Sequence, residues 1–292
     1  MTQAVMTQTR PSLHYEPVER RSGLSVSEFR KEYLNRKPVV VSDGIKDWKA
    51  RSSWTFEGFR ARFGENTILA ACYENGSYQP ALAKKMPLAE YIDKILVNDF
   101  DSYPYYLRDN YSLFVEHKEL WSEFSEPKYC FDWFKLLPNF VLRPGPRIFI
   151  GPPGCVTNLH QDMWGTHFWM AHLAGRKRWI LFPPDQSEFL YPYPRNSAGG
   201  PAKRGAVPYQ VHPHKPDLER FPLFEKAKGL EITVQPGELI IVPSNWSHWV
   251  ASLDPTISLT HNYMGPGNFG PCVTNQIGWY LESRRQSRRG RN

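Results

Sequence analysis

The stretch Thr157–Phe182, TNLHQDMWGTHFWMAHLAGRKRWILF, sets polar residues into an apolar, strand-rich run, and the rest of the chain reads as scaffold for it. In an extended strand alternate side chains share a face, so His160 and Asp162 point the same way and Gln161 the opposite way. An imidazole and a carboxylate on one face make two-thirds of a metal site. The third ligand is expected from elsewhere, and His248 in NWSHWV is the best candidate. It lies 88 residues beyond His160, so the site exists only if a folded barrel brings the two strands together.

Working outward, the pattern from Arg147 onward is one of short strands separated by Gly and Pro, the signature of an antiparallel sandwich or barrel. Strands are expected near 147–151, 156–162, 166–174, 177–182, 230–235, 238–242, 247–253 and 256–264, with turns at GPPG, Ala174-Gly175 and Gln235-Pro-Gly237. Eight such strands suit a double-sheet jelly roll. Between the fourth and fifth lies a long segment, Pro183 to Gly229, which opens with a helical turn at DQSEFLY and is placed to cover the barrel mouth.

Upstream, Ser25-Val-Ser-Glu28 has the spacing of a capping box, with Val26, Phe29 and Tyr33 following at helical intervals. A buried Val-Val-Val strand follows Pro38. Phe56, Phe59 and Phe63 mark a helix that Gly64 is placed to stop, and Thr67–Cys72 reads as a strand. Pro87 precedes an amphipathic helix carrying Leu88, Tyr91, Ile92, Ile95 and Leu96 on one face. Of the aromatics Tyr103, Tyr105, Tyr106 and Tyr111, most are assigned to the core and one to the site.

At 292 residues the chain can bury a full core, and one domain is expected. The boundaries are a flexible N-terminus over 1–20 and a single domain over 21–282, followed by a basic flexible tail over 283–292. Within the domain, 21–140 forms the helical and strand N-terminal part, 141–265 the barrel core and 270–282 a short C-terminal helix. No apolar run reaches the length of a bilayer span and the N-terminus lacks a signal-peptide core, so a cytoplasmic protein with no membrane partner is expected. Cys72, Cys130, Cys155 and Cys272 form no C-x-x-C pair and read as reduced, partly buried thiols. The formal charge of +7 falls to about +2 without the tail arginines Arg284, Arg285, Arg288, Arg289 and Arg291, so nucleic acid is not an expected partner.

A two-histidine, one-carboxylate triad occupies one face of an octahedral iron and leaves three positions open, enough for a bidentate co-substrate and O₂. A structural zinc site would take four ligands, often Cys, and nothing here supplies them. Lys177 begins the strand KRWILF, and a lysine reaching into a barrel needs an anion. The dicarboxylate 2-oxoglutarate fits that need, its keto-acid end on the iron and its far carboxylate on Lys177. The last strand carries Ser258, Thr260 and Asn262 on one face, a polar stripe suited to hydrogen-bond a buried carboxylate.

The pattern GPPG…T-x-x-H-x-D…GT…W…G-x-K-R-W-x-L-F-P, with 17 residues from His160 to Lys177, resembles the JmjC branch of the cupin superfamily. These are Fe(II)- and 2-oxoglutarate-dependent oxygenases, and the likeness is greatest to hydroxylase members. The pattern and spacing resemble the Jumonji-type lysyl hydroxylase, while LFPPDQSEFLYPYP and ERFPLF resemble the asparaginyl hydroxylase factor inhibiting HIF. PGELIIVPSNWSHWV and DPTISLTHNY resemble the second half of the same barrel, and the likeness runs loosely over 24–72 and well over 100–265.

The resemblance implies His160, Asp162 and His248 as iron ligands and Lys177 as partner of the distal carboxylate. It implies Thr157, Thr260 and Tyr106 as co-substrate contacts and Asn262 as a polar site residue. Met170 stands where relatives carry an asparagine that contacts the co-substrate. Trp164 and Met170 are assigned to the substrate side. His167, His172 and His261 are read as packing or supporting groups, and His212 and His214 as exposed.

The expected activity is hydroxylation of a C–H bond in an amino-acid side chain of a protein or peptide. A free amino acid or natural-product intermediate is the alternative substrate, and a non-catalytic cupin-fold metal- and ligand-binding protein the alternative class. N-demethylation ranks lower, because the motifs resemble hydroxylases. By family analogy a homodimer would form through the segment after Asn262, where Val273, Ile277 and Leu281 suggest a helix.

Overall fold

Hydrophobic alternation fixes which side of each strand turns inward, and the chain resolves it into two facing sheets. The computed structural model describes residues 15–74, 77–100, 104–138, 143–194 and 206–289. Its first part runs β1 (Glu16–Pro17), β2 (Arg20–Arg21), α1 (Val26–Glu32), β3 (Val39–Val41), α2 (Ala50–Ser53), α3 (Phe56–Phe63), β4 (Thr67–Glu74), β5 (Ser77–Pro87), α4 (Leu88–Val97), β6 (Tyr105–Asn110) and α5 (Ser112–Glu116). The body follows as β7 (Arg147–Gly151), β8 (Val156–Gln161), β9 (His167–Ala174), β10 (Lys177–Phe182), β11 (Val207–Pro208), β12 (Leu230–Val234), β13 (Leu239–Val242), β14 (Ser247–Ser252) and β15 (Thr256–Tyr263). The long helix α6 (Phe269–Arg289) completes it.

One sheet has the order β1-β12-β10-β14-β8-β11 and the other β2-β3-β13-β9-β15-β7-β6-β4-β5. The eight strands expected from sequence form the facing core of the two, four to a sheet, each end within one residue of its expected place. This is the double-stranded β-helix. Phe168, Met170, Trp179, Leu181, Ile240, Val242 and Val250 pack between the sheets. The opposite face of the larger sheet carries Trp169, Ala171, Leu239, Ile241 and Leu259, and packs on Phe29, Phe59, Phe63, Tyr91 and Ile92 from the helices. The outer face of the smaller sheet, with Ile180, Phe182 and Trp249, lies under Leu190, Tyr209, Phe221 and Phe224 of the long segment.

Local sequence sets the helix ends. Ser25 Oγ accepts from the Glu28 amide at 3.1 Å and the Glu28 carboxylate accepts from the Ser25 amide at 2.9 Å, closing the capping box. Thr55 caps α3 in the same sense, accepting from the Gly58 amide at 2.9 Å. Gly175, at φ +67°, turns the chain from β9 in one sheet to β10 in the other; a Cβ there would lie 2.0 Å from the Pro255 carbonyl oxygen. Only glycine meets both demands.

Two expectations change, and one strand is added. Residues 15–21 were assigned mostly to a flexible N-terminus, yet β1 pairs in parallel with β12 and β2 with β3. Glu19 holds them down, bonding Lys37 at 2.8 Å and the Tyr33 hydroxyl at 2.5 Å. The C-terminal helix, expected over 270–282, runs on to Arg289, so all but the end of the arginine tail is helical in backbone. Strand β5, for which QPALAKKMP gives no β-branched signal, pairs with β4 as a hairpin. Residues 1–14, Tyr103 and Arg291 lie outside the described residues. No helix among the described residues is long and apolar enough to cross a membrane.

Candidate active site

His160 stands near the end of β8, Asp162 one residue past that strand on extended backbone, and His248 directly opposite His160 on β14. The His160 Nε2 lies 3.3 Å from Asp162 Oδ1 and the His248 Nε2 3.9 Å from the same oxygen. One ligand atom from each of the three falls within 4.8 Å of the others. The Nδ1 of His160 faces the Asn158 carbonyl at 2.7 Å and that of His248 the Trp246 carbonyl at 3.4 Å. Each carbonyl takes the Nδ1 proton and leaves an Nε2 lone pair on the shared side. Asn262, on β15 of the opposite sheet, donates to Asp162 Oδ2 at 2.7 Å and to Thr166 Oγ1 at 2.9 Å, which turns Oδ1 toward the histidines.

Burial by itself would raise the Asp162 carboxyl, but the bond with His160, the neighbouring His248 and the Asn262 amide together hold it well below the usual carboxylate range. Burial, with His160 beside it, pushes His248 down to about 3. At neutral pH the carboxylate is therefore ionised and His248 neutral, the states a metal ion requires. Two imidazole nitrogens and one carboxylate oxygen gathered on one side, with no thiolate among them, fit Fe(II).

These three groups open onto a cavity of about 220 Å³ that Thr157, Met170, Lys177, Thr260, Tyr106 and Asn262 also line. Lys177 is 1% exposed and donates to the Tyr106 hydroxyl at 3.2 Å. No carboxylate among the described residues pairs with it, and burial pulls its pKa down to about 7. Burial disfavours its charge, and an anion brought beside it would favour the ammonium form. Tyr106 reaches it because β7 has glycine at 151, where a Cβ would sit 2.7 Å from the Tyr106 ring. The Thr260 hydroxyl donates to the Trp169 carbonyl at 2.6 Å, so toward the cavity it offers lone pairs. Met170 presents a buried thioether.

One assignment moves. Trp164, expected to shape the substrate mouth, is 1% exposed, sits at φ +58° and packs with Phe134, Met264 and Cys272. It lines a neighbouring cavity of about 430 Å³, divided from the first by Met163 and Asn262, which border both. The residue of this turn that borders the cavity with His160 and Asp162 is Met163. Sequence reasoning also missed Arg108, which lines the cavity. The signal was present, since Arg108 is two residues from Tyr106 on β6 and shares its face. From the long segment, Val207 and Pro208 pair with Gln161 and His160, and Ala206 borders the cavity.

The remaining histidines divide as follows. His167 accepts from the Ser244 amide at 2.9 Å, and His261 lies between the Pro144 carbonyl at 3.0 Å and Asp132 at 4.0 Å. His212, expected to be exposed, is half-buried against Trp249, 5.4 Å between centroids, while His214 is exposed and bonds Arg178 at 2.7 Å.

Comparison with known families matches residues 25–268 to the cupin-like domain. The chain is 28% identical to the arginine-specific demethylase JMJ20 of Arabidopsis thaliana, over 86% of this chain and 58% of that protein. It is 30% identical to the bifunctional arginine demethylase and lysyl-hydroxylase psr-1 of Caenorhabditis elegans, over 85% of this chain and 60% of that protein. It is 26% identical to the 2-oxoglutarate and iron-dependent oxygenase JMJD4 of Gallus gallus, over 87% and 61%. The chain thus spans about three-fifths of the length of these relatives. With its jelly roll, its His-Asp-His cluster and this match over most of its length, the chain belongs to the cupin-like domain family, in its JmjC branch.

Proposed function

We propose that this chain is an Fe(II)- and 2-oxoglutarate-dependent dioxygenase that hydroxylates a C–H bond of an amino-acid side chain in a protein or peptide. The observation that carries the reading is an open three-ligand site sharing one cavity with a buried lysine that has no carboxylate partner among the described residues. His160, Asp162 and His248 would hold the iron, and Lys177 with Tyr106 would bind the far carboxylate of the co-substrate. When bound, iron and 2-oxoglutarate supply the oxidation: one atom of O₂ converts C–H to C–OH, and the other leaves in succinate, with CO₂ released.

The chain's own residues do the positioning. Asn262 occupies the second carboxylate oxygen of Asp162 and so favours a single-oxygen ligand. Phe168, Met170 and Val250 line the cavity with apolar surface and limit water beside the reacting groups. The names of the relatives include both lysyl hydroxylation and arginine demethylation. Hydroxylation of an N-methyl carbon is the same C–H chemistry, and the names favour a protein substrate over a free metabolite.

The test is turnover of 2-oxoglutarate to succinate by purified, iron-loaded protein, with mass spectrometry for added oxygen or lost methyl groups across a peptide library. Absence of turnover, with 2-oxoglutarate bound no better by the native chain than by Lys177→Ala, would overturn the reading. Binding without turnover would favour a non-catalytic metal- and ligand-binding protein. We also infer a homodimer through α6, which exposes Phe269, Ile277, Tyr280 and Leu281; a monomeric mass in solution would refute it. Cys130, Cys155 and Cys272 are buried thiols that form no disulfide, which suits a reducing compartment, and the cytoplasm is our reading of the location.

A further inference from the structure

Behind the co-substrate cavity the barrel interior holds a second polar cluster. His172, on the inward face of β9 two residues past Met170, is 0% exposed. Neither of its ring nitrogens has a hydrogen-bond partner among the described residues. Its register partner across the ladder is Ser258 of β15, also 0% exposed, whose hydroxyl likewise has none. The Trp179 ring stands 6.0 Å from the His172 ring, edge to face, and its indole N–H is a third orphan in the same interior. One step further along β15 the contrast is plain: Thr256 meets Ser252 at 3.1 Å and the Gly151 carbonyl at 3.3 Å. Two ring nitrogens of His172, the Ser258 hydroxyl and the Trp179 indole N–H thus gather four unmet polar atoms in one interior spot.

Buried polar side chains are rarely left unpaired, and an internal water commonly satisfies such a group when two to four polar partners surround it. A leucine and an alanine would fill the same places with nothing to satisfy. Lys177 begins β10, facing β9 across the interior, and its charge acts on His172: burial first, then the ammonium, disfavour protonation of the ring. A neutral imidazole keeps one lone pair. The Lys177 ammonium has three donors, one of which goes to Tyr106, while another would face the co-substrate carboxylate. The third has no hydrogen-bond acceptor among the described residues; the Tyr106 and Phe149 rings stand 5.6 and 5.5 Å away, and Met170 offers only a weak thioether.

We propose that His172 and Ser258 form an internal water-binding site behind Lys177, and that this water completes the ammonium's hydrogen bonds and keeps it aimed at the far carboxylate of the co-substrate. His172 is then a positioning residue, since Trp179 and Lys177 border the cavity and His172 is not among its lining residues, and the inference rests on the functional reading above.

The experiment is calorimetric titration of 2-oxoglutarate into the full chain loaded with Mn(II), which holds the site without turnover. His172→Leu is expected to weaken 2-oxoglutarate binding about tenfold and leave Mn(II) affinity unchanged, with His172→Gln, which keeps an acceptor and a donor, recovering most of the loss. Ser258→Ala should weaken it by a smaller factor and add little in the double variant, because both act through one water. Unchanged 2-oxoglutarate affinity in a folded His172→Leu protein would overturn the proposal, as would equal losses in the Leu and Gln variants. Should His172→Leu fail to fold, a high-resolution crystal structure of the native chain decides. A water bonded to His172 and Ser258 supports the proposal, and a dry interior ends it. Failure of the native chain to bind 2-oxoglutarate would instead remove the functional reading, and this inference with it.

Discussion

Raising the pH from 7 to 9 is expected to weaken 2-oxoglutarate binding by about fiftyfold, through the titration of one buried lysine. Lys177 is fully enclosed, its described partner is a neutral phenol at 3.2 Å, and burial brings its pKa to about 7. The dicarboxylate binds the charged form, so the fraction of protein ready to bind is about half at pH 7 and about one-hundredth at pH 9. The sign for stability is opposite. The folded pKa lies below the unfolded value of 10.5, so the unfolded chain binds the extra proton between those limits. The ligand-free protein therefore gains about 1.4 kcal/mol per pH unit from this group as pH rises through that window. His248 is already neutral throughout and adds no slope. Calorimetry of the Mn(II)-loaded chain in two buffers of different ionisation heat would report both the affinity and the proton taken up. An affinity flat within about twofold from pH 7 to 9, or a slope that persists in Lys177→Met, would refute the assignment.

Asn262→Ala frees the second oxygen of Asp162 and is expected to lower metal affinity about 10- to 100-fold, read by competition with a chelator, while overall stability changes little. Gly175→Ala places a methyl group against the Pro255 carbonyl at a positive φ, and a loss of about 2 kcal/mol or more is expected in denaturant unfolding. Trp164→Ala removes a buried ring from the cluster with Phe134, Met264 and Cys272; it should cost about 3–5 kcal/mol of stability, and unchanged stability with altered substrate use would restore Trp164 to the mouth. Ser25→Ala opens the capping box of α1 and should cost about 1 kcal/mol, read as a shift in the denaturation midpoint.

The barrel was legible because its strands alternate cleanly between Gly- and Pro-marked turns, and the ligands because His160 and Asp162 lie two apart in one of them. The pairing of His248 with His160 was reached by residue type and flanking sequence, since no local pattern encodes contact over such a separation. Less was legible where tertiary contacts override local preference. Glu16–Arg21 has no periodicity of its own and becomes strand only because two sheet edges accept it. Trp164 lay next to the ligands in sequence, but a left-handed backbone at that position turns it into the neighbouring cluster. Asn262 was identified as polar and inward. That it serves the carboxylate ligand depends on how two sheets face each other, which spacing along one strand does not carry.

The short pair β1 and β2 has a practical meaning for anyone cutting the gene. Six residues cross from the edge of one sheet to the edge of the other, and Arg20 fastens the crossing with bonds to Glu238 at 2.8 Å and the Thr233 carbonyl at 2.8 Å. The stretch recognisable by family likeness begins only at residue 25. A fragment started there would keep every ligand and every core strand yet leave the two halves of the sandwich unlaced along that side. Expression boundaries for this protein are better drawn before Tyr15, and a gap in solubility between the two fragments would measure what the lacing contributes.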